Sequence, residues 1–308
     1  MNDWTDGLCL AAPAKVNLYL RILAQRDDGY HLIDSVIAFT TEADNLTVTP
    51  AKEIALEIDG PFAPTLDGGC DNLVLRAAHA LSETTTVSVG GAIRLTKNLP
   101  VAAGIGGGST DAAATLRLLV QFWHLNIDNS ELEQIALSLG ADVPACLRGE
   151  TLRAEGIGDR LETAPALPPM EIVLVNNGRP MDTASVFSAH SGTFSKPAPA
   201  PLRFDDSASA AGWYGALGND LLEPACQIQP SIRDTLAALE AEDGCLLARL
   251  SGSGATCFAI FETRDAASFA ASRLTEEYPD WWVRASQFRN RAAKIEVTGP
   301  YSSQVARA

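Results

Sequence analysis

The stretch PVAAGIGGGSTDAAA, residues 100–114, sets Gly104, Gly106, Gly107 and Gly108 directly ahead of a run of small helix-forming residues. Ala112, Leu116, Leu119, Val120 and Trp123 then recur at helical spacing, so an amphipathic helix beginning near Ser109 is expected. Upstream, GAIRLTKNLP (91–100) reads as a short strand ending in a turn. Glycine lets a backbone approach an anion and take positive φ, and the first turn of a helix offers unpaired N–H groups at the positive end of its dipole. The arrangement suits a phosphate, with Ser109 and Thr110 adding hydroxyls; the same glycines would also serve a tight turn needed only for packing. No GK[ST] follows, which excludes a Walker A loop, and Ser109 breaks a GxGxxG dinucleotide pattern.

Working outward, CLAAPAKVNLYLRIL (9–23) alternates Val16, Leu18, Leu20 and Ile22 against Lys15, Asn17, Tyr19 and Arg21, the period of a half-buried strand. A turn is expected at Asp28 and Gly29, then two strands in DSVIAFT (34–40) and DNLTVTP (44–50). DNLVLRAAHALSE (71–83) reads as a helix capped by Asp71 or Asn72, and NSELEQIALSLG (129–140) as one opened by a Ser130–Glu133 capping box and ended by Gly140. Proline-rich TAPALPPME (163–171) marks the expected boundary between domains at 1–165 and 166–308. Beyond it lie a buried strand IVLVN (172–176), an aperiodic stretch 190–212 expected to be a mobile surface loop, a helix RDTLAALEAE (233–242), a strand ATCFAIF (255–261), a helix DAASFAASRLTEEY (265–278) and a strand WWVRAS (281–286). This order predicts α+β with antiparallel sheets.

The 308 residues are 46% hydrophobic and 20% charged, an ordinary globular balance, and carry a net charge of −15. Such a surface repels nucleic acid and anionic membrane, so neither is an expected partner. Six scattered cysteines without metal spacing read as reduced and mostly buried, and no metal site built from side chains is expected. The acidic start MNDWTDGLCL lacks the positive charge of a secretory signal, and no segment approaches a membrane span, which predicts the cytoplasm. With only five lysines in the chain, Lys15 and Lys97 stand out beside the motifs, although strand lysines usually reach solvent.

The glycine loop resembles that of the GHMP kinases (galactokinase, homoserine kinase, mevalonate kinase, phosphomevalonate kinase). APAKVNLYLRI (12–22) and LSGSGATCFAIF (250–261) resemble that family's first and third motifs, in the same order. DGYH (28–31), LGADVPACL (139–147), AEGIGD (154–159) and GNDLLEP (218–224) are similar to the branch acting on 4-diphosphocytidyl-2-C-methyl-D-erythritol in the non-mevalonate route to isoprenoids. Ala103 and Thr110 depart from the family's commoner glycine and serine without removing a needed chemical group.

The resemblance implies a two-domain GHMP kinase fold: an N-terminal domain with a phosphate loop of left-handed βαβ type and a C-terminal α/β-plait domain, as monomer or homodimer. It implies ATP and Mg²⁺, with Asp142 as the base for the substrate hydroxyl and Lys15 holding Asp142 ionised and steadying phosphoryl charge. Asn72 and Lys97 would flank the adenine or ribose, and Pro100, Val101, Ala102, Ala103, Gly104, Ile105, Gly106, Gly107, Gly108, Ser109 and Thr110 would wrap the triphosphate. Asn17, Tyr30, His31, Thr183 and Phe187 would bind the cytidyl substrate; His79, His124 and His190 match nothing and read as structural. Another GHMP kinase, for homoserine or a sugar, and a non-catalytic nucleotide-binding relative are the alternatives.

Overall fold

The structure, a computed structural model, describes residues 7–66, 69, 71–85, 90–200 and 203–298. Cys70 and the acidic Asp3 and Asp6 of the opening segment lie outside the described residues.

Strands β1 (Gly7–Gln25) and β2 (His31–Thr49) form a long antiparallel hairpin, turned where Gly29 takes a φ of 89°. β2 is one strand where the sequence suggests two. Thr40 and Asp44, which flank the polar stretch between its apolar runs, are buried and satisfied: Thr40 Oγ1 donates to the Glu42 carbonyl, and Asp44 Oδ1 accepts from the backbone of Asn98 and Leu99. β3 (Ile54–Asp59), α1 (Leu73–Thr85) and β4 (Gly91–Thr96) make a βαβ unit whose strands pair in parallel. α2 (Gly107–Phe122), α3 (Asn129–Leu139) and α4 (Val143–Arg148) follow, then a hairpin of β5 (Leu152–Gly156) and β6 (Arg160–Thr163).

The remaining chain gives β7 (Glu171–Asn176), α5 (Thr183–Ser188), α6 (Ser207–Gly215), α7 (Leu222–Ile228), α8 (Ser231–Glu240), β8 (Cys245–Leu250), β9 (Cys257–Phe261), α9 (Arg264–Glu277), β10 (Trp282–Arg289) and β11 (Glu296–Thr298). The strands run β11-β1-β2-β10-β7-β9-β8, with β4 and β5 also on β2. Apart from β3 and β4 the pairs are antiparallel, so the architecture is α+β as the element order predicts.

Burial exceeds the amphipathic expectation in two places. Tyr19, placed on the polar face of β1, is fully buried because Trp213 and Tyr214 of α6 cover that face. α2 buries Ala112, Ala113, Ala114, Leu116, Leu118 and Leu119, a spread around most of the helix, because α1, α4 and β1 all pack on it. The cap of α3 is Asp128, whose Oδ1 accepts from the Glu131 N–H and the Ser130 hydroxyl; Glu133 pairs instead with Arg148 at 3.1 Å. Asn72 caps α1 through Val74, and Gly140 ends α3, both as read from sequence.

The described residues of the 190–212 stretch are fastened rather than loose. Ser195 N donates to the Ile22 carbonyl, Ala198 N to Asp34, and its last residues begin α6 on an Asp206 cap.

Candidate active site

Lys15 lies mid-β1 with its side chain only 9% exposed. Its ammonium donates to Asn17 Oδ1 at 2.9 Å and ion-pairs with Asp142 Oδ2 at 3.2 Å. It therefore does not run out to solvent. Asn17 is held in turn, its Nδ2 donating to Ser35 Oγ, which donates to the Tyr19 carbonyl. Asn17 thus orients the lysine, leaving one amide N–H for a ligand.

Asp142 occupies the cap position of α4, yet its side chain makes no capping bond; it turns to Lys15 and stays 45% exposed. One carboxylate oxygen is thereby engaged and the other is open to a ligand. The nearby Cys146 thiol is pushed up by burial and by the Asp142 charge, so it stays protonated.

The glycine loop packs on this pair. Lys15 N donates to the Ile105 carbonyl, and the Lys15 stem runs under Gly106, where a Cβ would sit 3.1 Å from Cε. Gly106, left-handed at φ 64°, caps α2, which starts at Gly107, two residues before the expected Ser109. The N–H groups of the first turn then point to the loop's mouth without helical partners, reinforced by the dipole of a 16-residue helix. Thr110 Oγ1 donates back to the Gly107 carbonyl, while the Ser109 hydroxyl has no partner among the described residues.

The loop from Ser251 to Gly254 closes the other side. Ser251 Oγ donates to the Gly104 carbonyl at 3.1 Å, Thr256 N to the Ala103 carbonyl, and a Cβ on Gly104 would lie 2.5 Å from the Gly254 carbonyl oxygen. Asn219 clamps this turn through Nδ2 to the carbonyls of Leu250 and Gly252, which gives the GNDLLEP motif its structural role. Thr183 Oγ1 lies 2.9 Å from Ser253 Oγ, and Met181 N donates to the Ala102 carbonyl.

A cavity of about 480 Å³ adjoins the loop, bounded by Asn72, Lys97, Pro100, Val101, Ala102, Gly107, Gly108 and Asp111. Its size suits a nucleotide. Lys97 is 2% exposed and committed elsewhere: its ammonium donates to Asp44 at 2.5 Å and Asp111 at 2.6 Å. Asp111 is pushed up to about 7, by burial first and then by the Asp44 carboxylate, against the pull of Lys97.

The turn residue Tyr30 is 61% exposed, whereas His31 is buried with its ring 5.5 Å from Phe187 and 5.9 Å from His190. Burial and the neighbouring His190 lower the His31 pKa, so its ring stays neutral at pH 7. The sequence reading missed His190 here, since only the fold carries residue 190 back to residue 31. It also missed Asp44 and Asp111, whose distances in sequence from Lys97 hide the triad.

Three sequence motifs thus converge on one phosphate-sized mouth backed by a lysine–aspartate pair. Relatives align over about nine tenths of the chain. A 4-diphosphocytidyl-2-C-methyl-D-erythritol kinase of Paramagnetospirillum magneticum is 47% identical over 278 residues, 90% of this chain and 97% of its own. The chain belongs to the 4-diphosphocytidyl-2-C-methyl-D-erythritol kinase family, a branch of the GHMP kinases. The kinase of that name from Ruegeria pomeroyi is likewise 47% identical, covering 88% of this chain and 95% of its own. The GHMP kinases N terminal domain matches residues 72–150 and the GHMP kinases C terminal region residues 208–280. A crystal structure of 4-(cytidine 5'-diphospho)-2C-methyl-D-erythritol kinase superposes with a TM-score of 0.75 at 32% identity, over 91% of this chain and 99% of that one. Homoserine kinase from Cytophaga hutchinsonii, at 16% identity and a TM-score of 0.69 over 96% of this chain and 99% of its own, shares the fold. The GHMP kinase fold expected from the motifs is the one observed.

Proposed function

We propose that this kinase transfers the γ-phosphoryl of ATP to the 2-hydroxyl of 4-diphosphocytidyl-2-C-methyl-D-erythritol, a step of the non-mevalonate route to isoprenoids, in the cytoplasm. The observation that carries the reading is the Lys15–Asp142 pair at 3.2 Å, packed beneath Gly106 at the mouth of the glycine loop. The open carboxylate oxygen of Asp142 accepts the hydroxyl proton as the substrate oxygen forms its bond to the γ-phosphorus. The bond from that phosphorus to the β–γ bridging oxygen breaks, and ADP leaves without a covalent enzyme intermediate. Lys15 has two of its three N–H groups engaged, and the third faces the charge that develops on the phosphoryl oxygens.

The loop 100–110 and the start of α2 hold the triphosphate through backbone N–H groups, so a chain of net charge −15 binds a polyanion by local dipoles. Asn72 and the cavity wall seat the base. Mg²⁺ carried with the nucleotide fits here: the unpartnered Ser109 hydroxyl would hold it, and it would neutralise phosphate charge. His31, with Phe187 and His190 packed against its ring, offers an aromatic surface to a pyrimidine; the exposed Tyr30 beside it in the chain supplies a ring to stack on the base, and Thr183 lies beside Ser253. We take residues 1–165 as the lobe bearing the nucleotide loop and 166–308 as the lobe completing the site; one apolar core lies mostly in the first and another mostly in the second, and a third joins the two.

The test is ADP release from Mg-ATP with a panel of alcohols. Turnover with the cytidyl substrate alone is expected, and Tyr30→Ala should raise its KM about tenfold with little change in kcat. Equal turnover of homoserine would overturn the substrate assignment.

A further inference from the structure

Between β10 and β11 the chain crosses back to β1 and, with Cys9, Leu10, Ala11 and Asn45, borders a second, open cavity of about 600 Å³. It shares no lining residue with the nucleotide cavity and includes neither Lys15 nor Asp142. Arg289, Arg291 and Lys294 line it. Elsewhere Arg26 pairs with Asp28, Arg94 with Glu57, Arg148 with Glu133, Arg153 with Asp34, Arg233 with Glu223 and Arg273 with Glu242, while Arg21, Arg76, Arg179, Arg203 and Arg264 have no ion pair among the described residues; what sets Arg289, Arg291 and Lys294 apart is that all three line one cavity. Among the described residues, Arg289, Arg291 and Lys294 have no ion pair, although the chain carries 38 acidic residues to 23 basic ones. Glu296, the acid in the lining, pairs with none of them.

A fourth cation stands behind the wall. Arg117 of α2, half-buried, donates Nη2 to the Ala293 carbonyl at 2.7 Å and has no carboxylate partner. Its pKa is lowered by burial and by the positive charge of Arg289. Two guanidiniums that repel each other beside a cavity, in an acidic protein with carboxylates to spare, leave charge that an anion would neutralise.

We propose that this cavity is a second anion site, taking a small molecule that bears a phosphate or diphosphate group. Arginine forks match phosphate oxygens in pairs, and the cavity has the volume of a metabolite site. A nucleic acid is excluded as occupant by the net charge of the whole surface. The strand register sets Arg289 opposite Phe39 and Phe39 opposite Lys15, so the occupant sits on the ladder that carries the reacting lysine.

The probe is inorganic pyrophosphate, titrated calorimetrically at low salt without Mg²⁺ into the full chain saturated with ADP, which keeps the glycine loop filled. Saturable one-to-one binding is expected, weakened about tenfold or more in the Arg291→Glu/Lys294→Glu variant, which should retain the wild-type melting curve. Lys294→Ala, which adds no new charge, should weaken binding in the same direction. Absence of saturable binding to the wild type would overturn the proposal. So would binding of unchanged affinity in the double variant, which would belong to the glycine loop.

Discussion

Lys97 holds two carboxylates in a place that water does not reach, and three charged groups there cannot all be equally satisfied. Asp111 Oδ2 receives the ammonium, but its Oδ1 is buried without a donor, an expensive position for a carboxylate oxygen. A proton on Asp111 relieves it, in keeping with a pKa near 7 imposed by burial and by Asp44. In the unfolded chain this group titrates near the ordinary ~3.9. The folded value is raised, so the stability it contributes is full below about pH 4 and is lost as pH climbs to about 7. Asp111→Asn removes that titration. The stability of the wild type relative to Asp111→Asn should fall with rising pH between 4 and 7, by at most about 1.4 kcal/mol per unit, in urea unfolding. A difference independent of pH would contradict this reading. A lone lysine beside a motif was visible in the sequence, but its partners at Asp44 and Asp111 were not, because ion pairing across β2, β4 and α2 exists only once those elements pack.

Among elements, the glycine loop carries most of the argument. Gly104 has a φ of 75° and no room for a Cβ against the Gly254 backbone. Gly104→Ala should therefore cost at least about 1–2 kcal/mol and weaken ATP binding, measured by chemical unfolding and nucleotide titration. Gly212 in α6 is the control: its Cβ would meet nothing within 4 Å, and Gly212→Ala should stabilise by about 0.5–1 kcal/mol. Equal effects at the two sites would sink the argument from close approach. Local patterns of this kind were legible: the loop, its helix, the Asn72 cap, α8 and α9 follow from residues near in sequence, whereas α5, α6 and α7 were not read. The continuity of β2 was not, because its buried polar residues look like a strand break until their partners are known.

At the scale of the molecule, β2 is the spine, with β1 along one edge and β5, β10 and β4 sharing the other. The second half of the chain covers the face of β1 that alternation marks as polar, which is why Tyr19 is buried. Asp34, fully buried on β2, accepts from Arg153 Nε and Nη2 at 2.9 and 2.8 Å, from Tyr19 and from the Ala198 N–H. Burial raises the Asp34 pKa, but these donors outweigh it and hold the carboxyl below its usual range. Arg153→Met strands that carboxylate and should destabilise the chain by about 3–5 kcal/mol, while Arg153→Lys should recover part of the loss. A change below about 1 kcal/mol for Arg153→Met would mean that the tether is ornamental to stability.

The site as a whole was readable from sequence only through its motifs. Lys15, Asp142 and the two glycine loops are spread over more than two hundred residues of chain and meet because the hairpin, α4 and the β8–β9 turn share one end of the fold. The most direct measurement of the central claim is single-turnover phosphoryl transfer by the wild type and Asp142→Asn, each saturated with ATP and the cytidyl substrate. Asparagine keeps the size and a hydrogen bond but cannot take the hydroxyl proton. The rate should fall about 10²–10⁴-fold with ATP affinity unchanged. A variant that transfers the phosphoryl within about tenfold of the wild-type rate would contradict the assignment of Asp142 as the base.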